Sequence, residues 1–174
     1  MNMNMNLNVY DNTIPHQVRY EIWNYCTKST YRLGWQDSQE TNKNDLNTYS
    51  TWTEEELKES GLYPYILGTV KDTDWFTNKN IKKIIVNLVR SNDIHYIHGH
   101  SKSQVALYYV NLDWQDGWYG ETLFYEPENL DSIAYASQYI PGRIILFDGN
   151  IPHSIRPQSV KAPKYRFTIS VFFM

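Results

Sequence analysis

The sequence predicts an α+β domain, and three observations predict it. Helix-period patterning is confined to the first half of the chain. After Ser91 the texture changes to short β-rich runs broken by turn residues, and the last run, Tyr165 to Phe173, alternates strictly. Helices first and strands second place the helices against an antiparallel sandwich or barrel. A chain of 174 residues fits one domain over 1–174, long enough to bury a real core.

The opening Met1 to Asn8 alternates with period two and predicts an edge strand running to Tyr10; it has neither the basic n-region nor the long apolar h-region of a signal peptide. Ile14, Val18, Ile22, Trp23 and Cys26 recur at helical spacing behind Pro15, which suits a first turn, so an amphipathic helix is expected over Ile14–Cys26. Cys26, the single cysteine, has no intrachain disulfide partner and reads as a half-buried apolar residue of that helix, as in a reducing compartment. The polar run from Gln36 to Asp45 predicts a long connection, either a surface loop or a lid over a site across residues 36–51.

Thr53-Glu54-Glu55-Glu56 spells a capping box and Gly61 a stop, which gives a short helix from Glu54 to Ser60. Ile81, Ile84, Ile85, Leu88 and Val89 form one stripe and predict a further helix, with Lys79, Lys82, Lys83 and Arg90 on its solvated side. Strands are expected near Ile94–His98, Gln104–Asn111, Thr122–Tyr125, Ser132–Ala136, Arg143–Phe147, His153–Arg156 and Tyr165–Phe173. Trp114 to Gly120 is a turn-rich aromatic loop.

Sixteen Lys plus Arg against nineteen Asp plus Glu give a net charge of -3, so nothing in the overall charge attracts nucleic acid or an anionic membrane. The basic residues lack the aromatic pattern of a nucleic-acid surface, and no window approaches the roughly eighteen apolar residues of a membrane span. The expected location is the cytosol.

The chemistry concentrates in His98-Gly99-His100. On a strand these two imidazoles point the same way, and His153, in Pro152-His153, is available as a third ligand. His95, three residues before His98, falls on the opposite face and reads as structural; His16 lies on the first helix, apart from the others. Along the last strand Tyr165, Phe167, Ile169, Val171 and Phe173 form one apolar face, while Arg166, Thr168 and Ser170 share the other, which must look into something polar. A buried Arg needs an anion: Asp148 or Glu121 within the chain, or a dicarboxylate ligand that fits its paired donors.

The ordered series His98-Gly99-His100, Tyr109-Val110-Asn111, Trp114, Tyr119-Gly120-Glu121-Thr122-Leu123-Phe124, Pro141-Gly142-Arg143, Phe147, Pro152-His153 and Arg166 resembles the iron(II) and 2-oxoglutarate dependent dioxygenases, specifically their prolyl 4-hydroxylase-like branch. The resemblance implies a double-stranded β-helix (jelly roll) backed by the N-terminal helices. It implies iron(II) held by His98, His100 and His153. It also implies Arg166 on the distal carboxylate of 2-oxoglutarate, with Tyr109 hydrogen-bonding the same group and Thr168 beside it; Tyr108 takes the place of Tyr109 if the register is one off. Glu121 and Thr122 would shape the site. The implied reaction consumes O2 and 2-oxoglutarate, yields succinate and hydroxylates a C–H bond of a peptide or small molecule, a peptidyl proline by kinship of the scaffold.

One departure is chemical: His100 stands where the family has a metal-binding Asp. Three neutral imidazoles leave one more positive charge at the ion, which favours a dianionic cosubstrate and also admits zinc, nickel or copper. The alternatives are that His100 does not ligate, that the chain is a jelly-roll binding or scaffold protein without turnover, or that it is a zinc-holding cupin-like enzyme.

Overall fold

The computed structural model describes residues 5–35, 47–93 and 95–174. In chain order the elements are β1 (Leu7–Tyr10), α1 (His16–Lys28), β2 (Arg32–Trp35), β3 (Asn47–Trp52), α2 (Glu54–Glu59), α3 (Tyr63–Lys71), β4 (Ile81–Val89), β5 (Gln104–Tyr109), β6 (Thr122–Glu126), β7 (Asn129–Ser137), β8 (Ile144–Asp148), β9 (His153–Ile155) and β10 (Arg166–Phe173). A seven-stranded sheet runs β1-β8-β5-β10-β4-β3-β2, and a three-stranded sheet runs β7-β6-β9; the pairings are antiparallel.

Alternation along the central strands builds three layers. Phe167, Ile169, Val171 and Phe173 of β10, with Tyr108 of β5, face the helices and pack with Ile22 and Cys26 of α1, Leu57 of α2, and Ile66 and Val70 of α3. On the opposite face Val105, Leu107 and Tyr109 of β5, with Ile145 and Phe147 of β8, meet Phe124 of β6. The result is the expected double-stranded β-helix with helices on its back.

The N-terminal expectation holds where it is described: β1 pairs with β8 at the sheet's edge, and residues 1–4 lie outside the described residues. α1 and α2 form as expected, α2 with its capping box closed, Glu56 N–H on Thr53 Oγ1 at 3.2 Å and Thr53 N–H on Glu56 Oε2 at 2.6 Å. Cys26 is fully buried instead of half-buried, and burial pushes its thiol's pKa upward, so it is an inert core residue.

The expected helix over Ile81–Val89 is a correction: this stretch is β4, between β10 and β3. The middle of β4 is buried on both faces, and its consecutive apolar residues Ile84, Ile85 and Val86, with Ile81, Leu88 and Val89 to either side, satisfy a helical stripe as well. The β-branched Ile81, Ile84, Ile85, Val86 and Val89 are what favour the strand. α3 is an element the periodicity does not single out, although Leu62, Ile66 and Val70 share one face and Pro64 sits in its first turn. The polar connection proves to begin and end in strands, β2 and β3; the lid reading falls mostly on residues 36–46, outside the described residues. Among the described residues, no helix is long and apolar enough to cross a membrane.

Candidate metal and carboxylate site

Three imidazoles converge between the two sheets. The potential donor atoms of His98, His100 and His153 lie within 4.8 Å of one another, and the ring centroids are 4.4 Å (His98–His153), 5.0 Å (His98–His100) and 5.0 Å (His100–His153) apart. The expected strand over Ile94–His98 is not what positions them: residues 95–97 are not in a strand, and residue 94 is outside the described set. Instead His98 makes a single antiparallel bridge to His153, N–H to O at 3.0 Å in one direction and 2.9 Å in the other.

His100 is fixed from the other side, its N–H donating to Gly149 O at 2.6 Å, while Gly149 N–H donates to Ser103 O at 2.8 Å. A Cβ on Gly149 would stand 2.6 Å from Ser103 O and closer still to His100 O, so only glycine lets the turn after β8 lie backbone to backbone against the histidine segment. Gly99 meets the same turn: a Cβ there would lie 3.2 Å from Gly149 O. Motif spacing does not reveal the role of Gly149; its signal is the turn dipeptide Asp148-Gly149 just upstream of Pro152-His153.

Two of the rings are aimed by their own backbone. His98 Nδ1 lies 2.9 Å from Tyr96 O and His153 Nδ1 lies 2.8 Å from Ile151 O. A carbonyl only accepts, so Nδ1 carries the proton in both rings and the Nε2 lone pair is the one left for a metal in the neutral form. Burial, reinforced by His98 and His100, holds the His153 pKa well below the ordinary imidazole value, so this ring stays neutral at physiological pH. Phe147 and Phe124 wall His153 at 4.9 and 5.9 Å, and Phe172 meets His100 edge-on at 4.9 Å.

Arg166 opens β10 and lines the same cavity as the three histidines. It is fully buried. Its Nε donates to Gly120 O at 2.9 Å, but Nη1 and Nη2 have no partner among the described residues. Neither internal counterion is used: the ion pair of Glu121 is with Arg156 at 3.8 Å, and Asp148 accepts from Asn150. Burial lowers the Arg166 pKa, opposed by Tyr109, Tyr139 and Glu121, and the guanidinium remains a cation facing a cavity.

Thr168 and Ser170 follow Arg166 into the cavity as the alternation predicted, and Asn87 Nδ2 reaches their hydroxyls at 3.5 and 3.4 Å. Asn87 is hidden when β4 is read as a helix. Tyr109 lies on the cavity side of β5 and Tyr108 on the helix side. The Tyr109 hydroxyl is already engaged, donating to Thr122 Oγ1 at 2.7 Å, and it is Thr122 that lines the cavity. His95, expected to point away, lines the cavity too, because without a strand at 95–97 the alternation rule has nothing to act on.

A jelly roll whose inter-sheet cavity holds three imidazoles and an uncompensated arginine is similar in fold to the 2-oxoglutarate oxygenases of known structure. Among them, the prolyl hydroxylase of Trichoplax adhaerens, solved in complex with a hypoxia inducible factor peptide fragment, superposes with a TM-score of 0.75 at 15% identity over 98% of this chain and 84% of that one. A Pseudomonas putida prolyl-4-hydroxylase gives 0.71 at 13% identity, covering 98% and 93%. HygX from Streptomyces hygroscopicus, with nickel and 2-oxoglutarate bound, gives 0.71 at 9% identity, covering 97% and 82%. At such identities the likeness is one of fold. No protein-family model matches the chain, and no curated protein matches it by sequence.

Proposed function

We propose that the protein is an iron(II)- and 2-oxoglutarate-dependent oxygenase that hydroxylates a C–H bond. The observation that carries this reading is the pair of buried Arg166 nitrogens, unpartnered among the described residues, in the cavity that also holds the three imidazoles. Leaving a buried cation without a counterion is costly, and a bidentate carboxylate is the ligand its planar fork fits.

In this reading His98, His100 and His153 hold the metal, and Arg166 takes the distal carboxylate of 2-oxoglutarate. The hydroxyls of Thr168 and Thr122 flank it, and Tyr109 acts through Thr122. When bound, iron(II) would supply oxygen activation coupled to decarboxylation of 2-oxoglutarate to succinate. The protein's own residues do the rest. Nδ1 bonds to carbonyls aim the His98 and His153 rings, burial keeps His153 unprotonated, Phe124 and Phe147 shield His153 from water, and Phe172 packs on His100.

The donor set fits iron(II), with His100 in the position where a carboxylate would cancel one charge. Three neutral imidazoles cancel none, which strengthens attraction for a dianionic cosubstrate. Likeness to prolyl hydroxylases, one of them held with a peptide, supports a peptidyl proline as the substrate.

The test is anaerobic addition of iron(II) and 2-oxoglutarate, which should give the weak visible charge-transfer band of the ternary complex. Air and a proline-containing peptide should then give succinate and a peptide heavier by one oxygen atom. Metal uptake with neither band nor succinate would assign the chain instead to metal-holding jelly-roll proteins without turnover.

A further inference from the structure

We infer that Tyr139 is the positioning residue that holds Arg166 ready for a carboxylate, an inference that rests on the reading of Arg166 as the cosubstrate's anchor. The Arg166 guanidinium carbon lies 4.7 Å from the Tyr139 ring centroid and 5.4 Å from that of Tyr109, and these two rings stack at 4.4 Å with an interplanar angle of 11°. Trp114 backs Tyr139 at 4.3 Å and is itself met edge-on by Trp118 at 5.8 Å. The aromatic loop is therefore the wall behind the arginine. With Nε on the Gly120 carbonyl and a π face against the cation, the fork has an edge and a face fixed and its two terminal nitrogens left over.

Tyr139 follows the end of β7, so no ladder holds its ring; its hydroxyl does. The hydroxyl hydrogen is shared between Asn111 Oδ1 at 2.8 Å and Phe167 O at 2.6 Å, and the oxygen accepts from Asn111 N–H at 3.0 Å. Asn111 in turn accepts from Phe167 N–H at 2.8 Å and donates to Tyr165 O at 2.9 Å. The residues on both sides of Arg166 are thus tied to the group that fixes the ring. Backbone and guanidinium are held by one network, all of it buried except Tyr165.

The network opposes a specific competitor. Glu121 has a buried Oε2 with no partner among the described residues, and its field acts on Arg166, yet the two form no ion pair. A guanidinium freed from the Tyr139 face would turn toward that carboxylate and close the anchor from within.

The experiment measures 2-oxoglutarate and metal affinity separately on purified full-length protein, with folding checked by circular dichroism. Tyr139→Leu should weaken 2-oxoglutarate binding at least tenfold and metal binding less than twofold. Tyr139→Phe, which keeps the ring but loses the hydroxyl that fixes it, should weaken 2-oxoglutarate binding by less than Tyr139→Leu does. Adding Glu121→Gln to Tyr139→Leu should restore at least threefold. A folded Tyr139→Leu with unchanged 2-oxoglutarate affinity, an equal loss for metal and cosubstrate, or no recovery in the double variant would overturn the inference.

If the wild type binds no 2-oxoglutarate, the cosubstrate reading fails by itself. Positioning is then read from the Arg166 Nε–H NMR signal, assigned with Arg166→Lys. Its solvent exchange should quicken at least tenfold in Tyr139→Leu, and an unchanged rate would overturn the role of Tyr139.

Discussion

Two arginines are buried between strands of this protein, and they are treated oppositely. Arg143, just before β8, is 8% exposed and has every nitrogen engaged: Nε and Nη2 each donate to the Asp11 carboxylate at 2.7 Å, and Nη1 donates to Ser137 Oγ at 3.1 Å and Gln138 O at 3.3 Å. Arg166 is 0% exposed and, among the described residues, has one hydrogen-bond partner, a carbonyl. The first arginine carries its counterion within the fold and fastens the chain after β1 to the β7–β8 turn. The second has no counterion among the described residues, so its burial without a ligand is costly to the fold. A buried cation kept without a counterion marks the place where an anion from outside is expected.

The largest effect should come from Arg166→Met. Losing the charged bidentate contact should weaken 2-oxoglutarate binding by about 1.5–3 kcal/mol, roughly ten- to 150-fold. Stability without ligand should stay level or rise, since an uncompensated buried charge is removed. Urea denaturation and equilibrium binding on the same preparation check both halves. A clear drop in apo stability would mean that Arg166 is structural after all.

Arg143→Met should show the mirror image, a loss of about 1–2 kcal/mol in stability with 2-oxoglutarate affinity unchanged within twofold. The figure is held down because the Asp11 side chain is 36% exposed and would rehydrate. A matching loss of affinity would merge the two arginines into one function and break the comparison.

Gly120→Ala bears on the Arg166 side alone. Its φ of +83° disfavours a side chain, and an added Cβ would stand 3.1 Å from Trp114 and 3.3 Å from Arg166 Cδ and Nε. The expected cost is about 1 kcal/mol of stability. A measurable fall in 2-oxoglutarate affinity should accompany it, because the intruding methyl group pushes on the arginine and on the wall behind it.

How much of this is legible in the sequence follows from the range of the forces involved. β10 is clear because its two faces differ in polarity residue by residue, so strand alternation by itself assigns Arg166, Thr168 and Ser170 to the polar face that lines the cavity. His98, His100 and His153 are legible as motifs, though the bridge and the Gly149 turn that bring them together are not. β4 misleads because Ile81, Ile84, Ile85, Leu88 and Val89 fit a helical stripe, while the β-branched residues among them and its place between β10 and β3 make it a strand. Tyr139 gives no local signal at all. Its partners Asn111, Phe167 and Arg166 are distant in sequence and meet it only through the packing of the two sheets.

The finest test of the contrast is its pH dependence. The Arg143 hydrogen bond holds the Asp11 carboxyl below its ordinary value, with partial burial pulling the other way and the Arg143 charge adding to the lowering. A carboxyl depressed in the folded state contributes stability that is fully present above its unfolded value, about 3.9, and is lost as the pH falls through the lower folded value. The stability difference between wild type and Asp11→Asn should therefore be constant from about pH 7 down to about pH 5 and shrink below about pH 4. Among the described residues no carboxylate bonds to Arg166, and only the field of Glu121 reaches it, so the difference between wild type and Arg166→Met should change less over the same range. A wild-type minus Asp11→Asn difference that does not shrink in acid would show that the Asp11–Arg143 pair adds nothing beyond neutral hydrogen bonds. Arg143 would then differ from Arg166 in solvation and packing instead of in charge.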